Sequence, residues 1–251
     1  MSELDILCED GPLLAVNKPA GLLTQGVPHG IPTLEAQVKA YLKALHNKPG
    51  NVYLGIPHRL DRPVSGVIAF ARNSKAAARL AEQFRDRQVR KVYWGVVERP
   101  LESPEGELVD WILKRPEEAR VEVVAPGTPG ARECRLSYRT LAFPMAGEGA
   151  GEPIAAGCGI PGATLLEIEL QTGRMHQIRV QFSSRGAPIV GDFAYGASSA
   201  LLERRLEDPL LEPIALHARS LTLKHPVRYD WLTITARVPQ AWTWLGITPQ
   251  G

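Results

Sequence analysis

Alternation of apolar and polar residues is the commonest pattern along this chain, and it predicts short β-strands. Between 164 and 170, for example, Leu166, Ile168 and Leu170 fall on one face while two glutamates fall on the other. The segment 67–71 is instead continuously apolar, which is typical of a buried strand. Strands are predicted at 13–16, 67–71, 91–97, 134–141, 164–170, 220–224 and 231–236.

Helical spacing of apolar residues is confined to a few segments. Helices are predicted at 33–45, after the capping residue Asn73 with Ala77, Leu80, Ala81 and Phe84 inward, from near Arg174 with a stripe of Met175, Ile178 and Phe182, at 198–211 on the surface, and after Pro239. The acid-rich segment 98–118 is interpreted as solvent-facing loop and hairpin, and the glycine-rich segment 144–162 as a mobile hairpin loop. These elements predict an α+β fold around a largely antiparallel sheet, in one domain spanning 1–251.

Composition narrows the class of protein. The 251 residues are 44% hydrophobic and 22% charged, as in ordinary globular proteins, and a net charge of +2 excludes a histone-like polycation. Three widely spaced cysteines (Cys8, Cys134 and Cys158) argue against a disulfide framework and against a metal-ligand cluster. The acidic segment 1–10 lacks the pattern of a secretory signal, and no apolar run approaches the roughly 18 residues that span a bilayer. We therefore expect a cytoplasmic protein.

One carboxylate stands out by its surroundings. Asp61 is the only acidic residue between Glu35 and Glu82, and Arg59 and Arg62 bracket it. Prolines at 57 and 63 stiffen both approaches, and a turn follows before the apolar strand. The sequence therefore predicts a rigid loop that presents one anion, although an Asp that caps a turn and pairs with a neighbouring arginine gives the same pattern.

The segment 72–91 carries an excess of positive charge. Seven basic residues stand against Glu82 and Asp86, with few acidic partners at helical spacing. Such a run is usually a solvated helix face. Its single sign also suits a surface that contacts phosphates.

Four further residues have both a structural and a functional interpretation. Lys18 follows a short strand, in a turn, and is expected to be exposed, as surface lysines usually are. Tyr93 is expected at the edge of the core, on the face of the strand opposite Trp94. There it either has a structural role or stacks on a base. Arg179 lies between apolar neighbours and needs an anionic partner if it is buried, for which Asp61 is the obvious candidate. A packed, hydrogen-bonded side chain is the commoner interpretation of His176.

Four motifs stand in order along the chain. They are VNKPAG at 16–21, HRLD at 58–61 followed by Ser65-Gly66, KVY at 91–93 and GRMHQIR at 173–179. The last continues into GAPIVGD at 186–192, and HP at 225–226 comes later. This series resembles the RluA-type RNA pseudouridine synthases. The resemblance runs from about residue 12 to 226 and implies a mixed, largely antiparallel sheet with a central catalytic cleft. Relatives often carry a small RNA-binding domain before this one, which we expect to be absent here.

The resemblance also implies roles. Asp61 would be the nucleophile that isomerises uridine in rRNA or tRNA stem-loops, Tyr93 would stack on the flipped-out uracil, and Arg179 would pair with Asp61. Arg59 would enter the space that the base vacates. The remaining residues expected to bind substrate RNA are Lys18, His58, Arg62, Lys91, Arg174, His176 and Ile178. Neither metal nor cofactor is implied, and we expect a monomer.

Two departures and two alternatives accompany this interpretation. The family usually has Thr at the position of Val64 and His at that of Gln181, so we expect activity with a different substrate fit. A catalytically idle RNA-binding or RNA-folding module is one alternative. A nucleoside hydrolase is another, but it would need a second acid across the glycosidic bond. The sequence does not choose between attack of Asp61 on the sugar and a route through an unsaturated sugar.

Overall fold

The predicted strands form, and most of them are longer than the apolar pattern alone indicates. The computed structural model describes residues 4–26, 30–47, 49–115, 117, 120–141, 160, 162–202, 206–208 and 211–247. Its strands are β1 (Ile6–Asp10), β2 (Leu13–Lys18), β3 (Ser65–Ala71), β4 (Arg90–Val97), β5 (Glu105–Arg115), β6 (Arg120–Val124), β7 (Arg132–Thr140), β8 (Thr164–Leu170), β9 (Leu216–Lys224) and β10 (Trp231–Thr235). The α-helices are α1 (Leu34–Leu45), α2 (Ser74–Arg85) and α3 (Gln177–Ser183), and two 3-10 helices span Phe193–Tyr195 and Gln240–Leu245.

The described residues divide into two compact units, each built from two chain segments. The first unit takes its residues from 1–91 and 218–237, and its strands follow the order β1-β2-β3-β9-β10. β2 pairs antiparallel with both β1 and β3, and β9 pairs antiparallel with β10. Every residue of β3 is buried, as its continuous apolar sequence predicts.

The second unit takes its residues from 92–217 and 238–251. Its strands follow the order β4-β8-β7-β5-β6, and each neighbouring pair is antiparallel. The 3-10 helix Gln240–Leu245 buries Trp242 completely, whereas Trp244 is exposed. Largely antiparallel pairing with few helices confirms the predicted α+β class.

Side-chain caps begin the first two helices where the sequence predicts. The hydroxyl of Thr33 accepts from Ala36 N at 3.2 Å to start α1, and Asn73 Oδ1 accepts from Ala76 N at 2.8 Å to start α2. The buried face of α2 differs from the prediction. Ala81 is exposed and Gln83 is buried instead.

The burial of Gln83 has a hydrogen-bonding cause. Its Nε2 donates to Lys224 O at 2.9 Å, and Lys224 N donates to its Oε1 at 2.8 Å. The amide therefore pairs with the main chain at the end of β9 as a neighbouring strand would. A polar side chain can occupy a buried helix position when both of its groups are satisfied in this way.

Three predictions about local structure are wrong in whole or in part. The segment 98–118 contains the long strand β5, whose Leu108 and Ile112 are buried, although the expected hairpin is present as β5 and β6. Helix α3 begins at Gln177 rather than near Arg174, so Met175 precedes it. No helix forms among the described residues of 198–211. The predicted loop 144–162 lies almost wholly outside the described residues, and no described helix is long and apolar enough to cross a membrane.

Gly66 sits where β3 begins, directly after the loop that carries Asp61. Its φ is +118°, and a Cβ at this position would lie 2.3 Å from Ala218 O and 2.5 Å from Ala218 N. Only glycine tolerates both this backbone conformation and this closeness to the main chain of β9. The close approach fixes the point at which the Asp61 loop joins the sheet.

Substituting Gly66→Ala should destabilise the protein by roughly 3 kcal/mol or more, because the new methyl overlaps main-chain atoms that cannot move independently of β9. Urea unfolding measures this. Gly11→Ala is the matched control, since Gly11 also has a positive φ (+50°) but no atom within 4 Å of the built Cβ. The control should lose only about 1 kcal/mol. Equal losses in the two variants would contradict the packing argument.

Candidate active site

Hydrogen bonds to the main chain hold both neighbours of Asp61. The Thr24 hydroxyl donates to Leu60 O at 2.9 Å, and Leu60 N donates back to it at 3.3 Å. On the other side, Gly21 N donates to Arg62 O at 2.9 Å, and Arg62 Nε donates to Gly21 O at 2.9 Å. The carboxylate is therefore carried on a backbone that is fastened before and after it, and Asp61 itself is only partly buried.

Lys18 strengthens the same attachment. Its ammonium donates to Pro19 O at 2.9 Å, to Leu22 O at 2.7 Å and to Arg62 O at 3.2 Å, so each of its three N–H groups has an acceptor. Burial lowers the pKa of Lys18 to about 7, and the nearby carboxylate of Asp61 opposes that shift. The expectation of an exposed Lys18 is wrong. The side chain is fully buried and has no surface with which to contact RNA.

His58 is occupied by contacts within the first unit. Its Nε2 accepts from Ala69 N of β3 at 2.9 Å, and its ring stacks on Phe84 with the centroids 4.4 Å apart. Burial lowers the pKa of His58 to about 3, and the charge of Lys91 adds to that shift. The neutral ring suits a nitrogen that accepts a main-chain N–H. His58 thus holds the approach to Asp61 against the sheet.

The cations around Asp61 differ in their exposure. Arg59 is exposed, while Arg62 is partly buried and turned toward Gly21. Lys91 is partly buried, and burial followed by repulsion from Arg87 lowers its pKa to about 8. Arg59 is therefore the member of the HRLD motif best placed to reach outward.

The basic segment 72–91 is only partly available to phosphates. Arg72 pairs with Glu9 at 2.5 Å, and Arg79 donates to Pro226 O at 2.6 Å while its guanidinium lies 5.0 Å from the centre of the Tyr229 ring. These contacts hold two of the cations against the first unit. The exposed cations of the segment are Lys75, Arg85, Arg87 and Arg90.

Arg179 of α3 is buried, as the sequence predicts, and it has an anionic partner. Its Nε donates to Asp192 Oδ2 and its Nη2 to Asp192 Oδ1, both at 2.7 Å. The side chains of Arg179 and Asp192 are 8% and 1% exposed. Asp192 ends the GAPIVGD segment, but its pairing with Arg179 was not predicted. Pairing of Arg179 with Asp61 stays a prediction.

Tyr195 completes the surroundings of Arg179. The Arg179 guanidinium lies 4.7 Å from the centre of the Tyr195 ring. The Tyr195 hydroxyl accepts from Val121 N at 3.1 Å and lies 2.8 Å from His176 Nδ1. Because the hydroxyl oxygen already accepts, its own proton is available for the histidine. His176 is thus partly buried and hydrogen-bonded, the commoner of its two interpretations.

The rest of the GRMHQIR motif is organised by Gln177. Its Oε1 accepts from Arg174 N at 3.1 Å and from the Thr172 hydroxyl at 2.8 Å, and its Nε2 donates to Arg135 O at 3.0 Å. The Thr172 hydroxyl bonds to Arg135 and Gln177 and does not cap α3. Ile178 is buried, and Arg174 is partly buried.

Both departures from the family pattern lie in the interior. Val64 is 2% exposed, and its N–H donates to Asp61 O at 3.1 Å. Gln181 is fully buried and donates to Asp110 Oδ2 at 2.7 Å and to Leu108 O at 3.2 Å. Neither side chain has a surface to offer a substrate, so each affects packing rather than direct contact.

Tyr93 lies on β4 of the second unit. It is partly buried and opposes Ile168 of β8, in a strand that begins at Arg90, one residue before the KVY motif. Strand pairing fixes the main-chain position from which this partly exposed ring projects.

A family model for RNA pseudouridylate synthases matches residues 12–184, more than half of the chain. The chain belongs to the RNA pseudouridylate synthase family. The match includes VNKPAG, HRLD, KVY and GRMHQIR, which confirms the resemblance found in the sequence.

Relatives within the pseudouridylate synthase family differ in their named substrates. The chain is 36% identical to "Ribosomal large subunit pseudouridine synthase D" of Xylella fastidiosa, covering 94% of this chain and 66% of that protein. It is 32% identical to "tRNA pseudouridine synthase C" of Haemophilus ducreyi, covering 97% and 94%. The chain spans about two thirds of the length of several curated relatives.

Solved structures share the pseudouridine synthase fold. The structure titled "Human RNA Pseudouridylate Synthase Domain Containing 4" superposes with a TM-score of 0.72 at 24% identity, covering 98% of this chain and 95% of that one. The fold expected from the sequence is thereby confirmed.

Replacing the buried ammonium should loosen the loop. In Lys18→Met, the carbonyls of Pro19, Leu22 and Arg62 lose a donor inside the protein, so the free energy of unfolding should fall by about 1–3 kcal/mol. Urea unfolding at pH 7 measures it. Lys39→Met is the control, because Lys39 forms an exposed pair with Glu35 and should change stability by less than about 0.5 kcal/mol. A Lys18 variant as stable as this control would contradict the role assigned to the ammonium.

His58 should make stability fall with acidification. Its pKa is about 3 in the fold against a usual 6.5, so the unfolded chain takes up a proton that the folded protein refuses as the pH drops below 6.5. From pH 7 to pH 5 this costs up to about 2 kcal/mol, at roughly 1.4 kcal/mol per pH unit. Urea unfolding at both pH values should show a smaller loss for His58→Gln than for the wild type. His46→Gln, at an exposed histidine, should behave as the wild type does.

Proposed function

We propose that this protein isomerises specific uridines in structured rRNA or tRNA to pseudouridine. The observation that carries the proposal is the attachment of the main chain on both sides of Asp61, by Thr24 at Leu60 and by Gly21 at Arg62. A nucleophile must be held within a fraction of an ångström of its target atom. A carboxylate that merely caps a turn does not need such fastening of its neighbours.

The reaction needs one carboxylate and no co-reactant. The bond from the sugar C1′ to uracil N1 breaks, the base turns, and C1′ joins C5 of the same ring, so that the C5 proton leaves and N1 gains a proton. Asp61 starts this sequence at the sugar. Hydrolysis would instead require a second acid to activate water across the bond. Because the HRLD loop carries a single carboxylate, isomerisation fits it better than hydrolysis does.

Tyr93 and Arg179 complete the catalytic set in this proposal. The uracil must leave the helical stack, at a cost of a few kcal/mol, and stacking on the Tyr93 ring offsets part of it. The Tyr93 hydroxyl takes part in removing the C5 proton. Arg179 pairs with Asp61 and orients its carboxylate. We also propose that residues 1–251 work as a single catalytic domain.

RNA is held by positive charge near the loop. Exposed Arg59 fills the space that the flipped base leaves, and the exposed cations of the 72–91 segment contact phosphates. Arg62, Lys91, Arg174 and His176 are further candidates, since each keeps some exposed surface. Lys18 and Ile178 are buried, and their part is to support the loop and α3. We further propose a monomer that works in the cytoplasm without a metal, because a carboxylate nucleophile supplies the chemistry by itself.

The decisive comparison is between the wild type and Asp61→Asn on RNA whose uridines carry tritium at C5. Wild-type protein should release tritium from either total tRNA or rRNA, assayed separately, and the variant should be slower by at least about 10³-fold because the amide is not a nucleophile. Asp86→Asn is the matched control, since Asp86 is exposed at the end of α2. It should retain wild-type release.

Two other outcomes have clear meanings. Release by Asp61→Asn at the control rate would contradict the nucleophile. Absence of release by the wild type on both RNA classes, with binding retained, would favour the idle RNA-binding module.

A further inference from the structure

Arg179 is held by two residues that lie outside the GRMHQIR motif. We propose that Asp192 and Tyr195 are positioning residues, which set the orientation of the Arg179 guanidinium for the isomerisation. This inference rests on the proposed function. It concerns residues that do not themselves touch the uridine and act on the reaction through Arg179.

The contacts leave the guanidinium little freedom. A guanidinium has five N–H donors, and Asp192 takes one from Nε and one from Nη2 in a two-point interaction. Tyr195 covers a flat face, with its ring centre 4.7 Å from Arg179 Cζ. Rotation of the group about its own axis would break both contacts. Its other three N–H donors, two on Nη1 and one on Nη2, therefore point in fixed directions.

Asp192 and Tyr195 are themselves held rigidly. The Asp192 main chain donates to Ile189 O at 2.9 Å and accepts from Tyr195 N at 2.9 Å and from Ala197 N at 3.1 Å. The Tyr195 carbonyl accepts from the Ser183 hydroxyl at 2.6 Å, which ties this turn back to α3. The support behind Arg179 is thus a closed loop of bonds rather than a single contact.

The hydroxyl of Tyr195 extends this support to two other elements. It accepts from Val121 N of β6, and it meets His176 Nδ1 just before α3. His176 is held in the left-handed conformation, with φ of 51°. The residue that precedes α3 is therefore connected, through Tyr195, to the hairpin of β5 and β6.

A stabilising role alone does not account for this arrangement. Helix α3 already buries Ile178, Val180 and Phe182, and a buried ion pair is often no more stabilising than apolar residues in its place. The buried Glu98 provides a contrast within the same unit. Its carboxylate accepts from Ser198 N, at 2.7 Å, and from the neutral Ser199 N–H, with no cation among these contacts. Asp192, by contrast, is devoted to one arginine.

The experiment uses Asp192→Asn and Asp192→Glu in single-turnover assays with enzyme in excess over RNA. A rate constant at saturating enzyme is independent of how much of the preparation is folded. We expect that rate constant to fall about 10–100-fold in both variants. Asp192→Glu moves the carboxylate by about one ångström relative to Arg179, and Asp192→Asn removes the charge of the carboxylate. RNA affinity should stay within about 2-fold of the wild type. Asp192→Glu keeps the charge and serves if Asp192→Asn does not fold.

Glu98→Gln is the matched control for disturbing a buried carboxylate. It should lower the melting temperature while leaving the saturating rate constant unchanged. Normal activity of the wild type and of this control also separates the two proposals. If both are active and the Asp192 variants match them, the positioning role is overturned while the proposed function stands. If the wild type is inactive, the proposed function fails first.

A double-variant cycle tests the route of action. In the Arg179→Lys background, adding Asp192→Asn should lower the saturating rate constant by less than about 3-fold. The effect of Asp192 passes through the two-point contact of arginine, which lysine cannot make. A loss as large in the Arg179→Lys background as in the wild type would overturn the inference, because Asp192 would then act independently of Arg179.

Discussion

The position of the Asp61 loop depends on hydrogen bonds between main-chain carbonyls and buried polar side chains. Lys18 gathers the carbonyls of Pro19, Leu22 and Arg62, and Thr24 bonds both polar groups of Leu60. Removing a lysine from water is unfavourable, and an interior built for stability alone would place an apolar side chain there. The fold accepts this cost at the point where the loop must not move. Apolar packing is non-directional and could not fix a carboxylate as closely.

The second unit uses the same device with different residues. Helix α3 has no side-chain cap, and the amide of Gln177 instead joins Thr172, Arg174 and Arg135 in front of it. The start of the helix is therefore set by hydrogen bonds between side chains and main chain rather than by helix propensity. Arg179 lies within this first part of the helix, so its position follows from that network.

The sequence predicted what depends on periodicity and failed where a partner distant in the chain decides. Alternation gave β8 with both its bounds correct, and capping residues gave the starts of α1 and α2. The burial of Lys18 was not predicted, because the apolar pattern ends at Val16 whereas β2 continues through Lys18. The burial of Gln83 was not predicted either, since its partner Lys224 lies 141 positions away. The pairing of Asp192 with Arg179 was not predicted for a similar reason. Asp192 follows an acid-free stretch, and nothing local shows that the chain turns back onto α3.

The division of the chain has a consequence for synthesis on the ribosome. The first unit contains the Asp61 loop in its first segment, residues 1–91. Its second segment, which includes Ala218 beside Gly66, begins only at residue 218. At roughly 5–20 residues per second, the intervening segment 92–217 takes on the order of ten seconds to emerge. During that interval β3 lacks β9 along one edge, and unpaired strand edges invite association with other chains. The nascent protein thus passes through a period in which its most apolar strand needs protection. The need for a chaperone should last until residues 216–224 have been synthesised, rather than until the whole chain is complete.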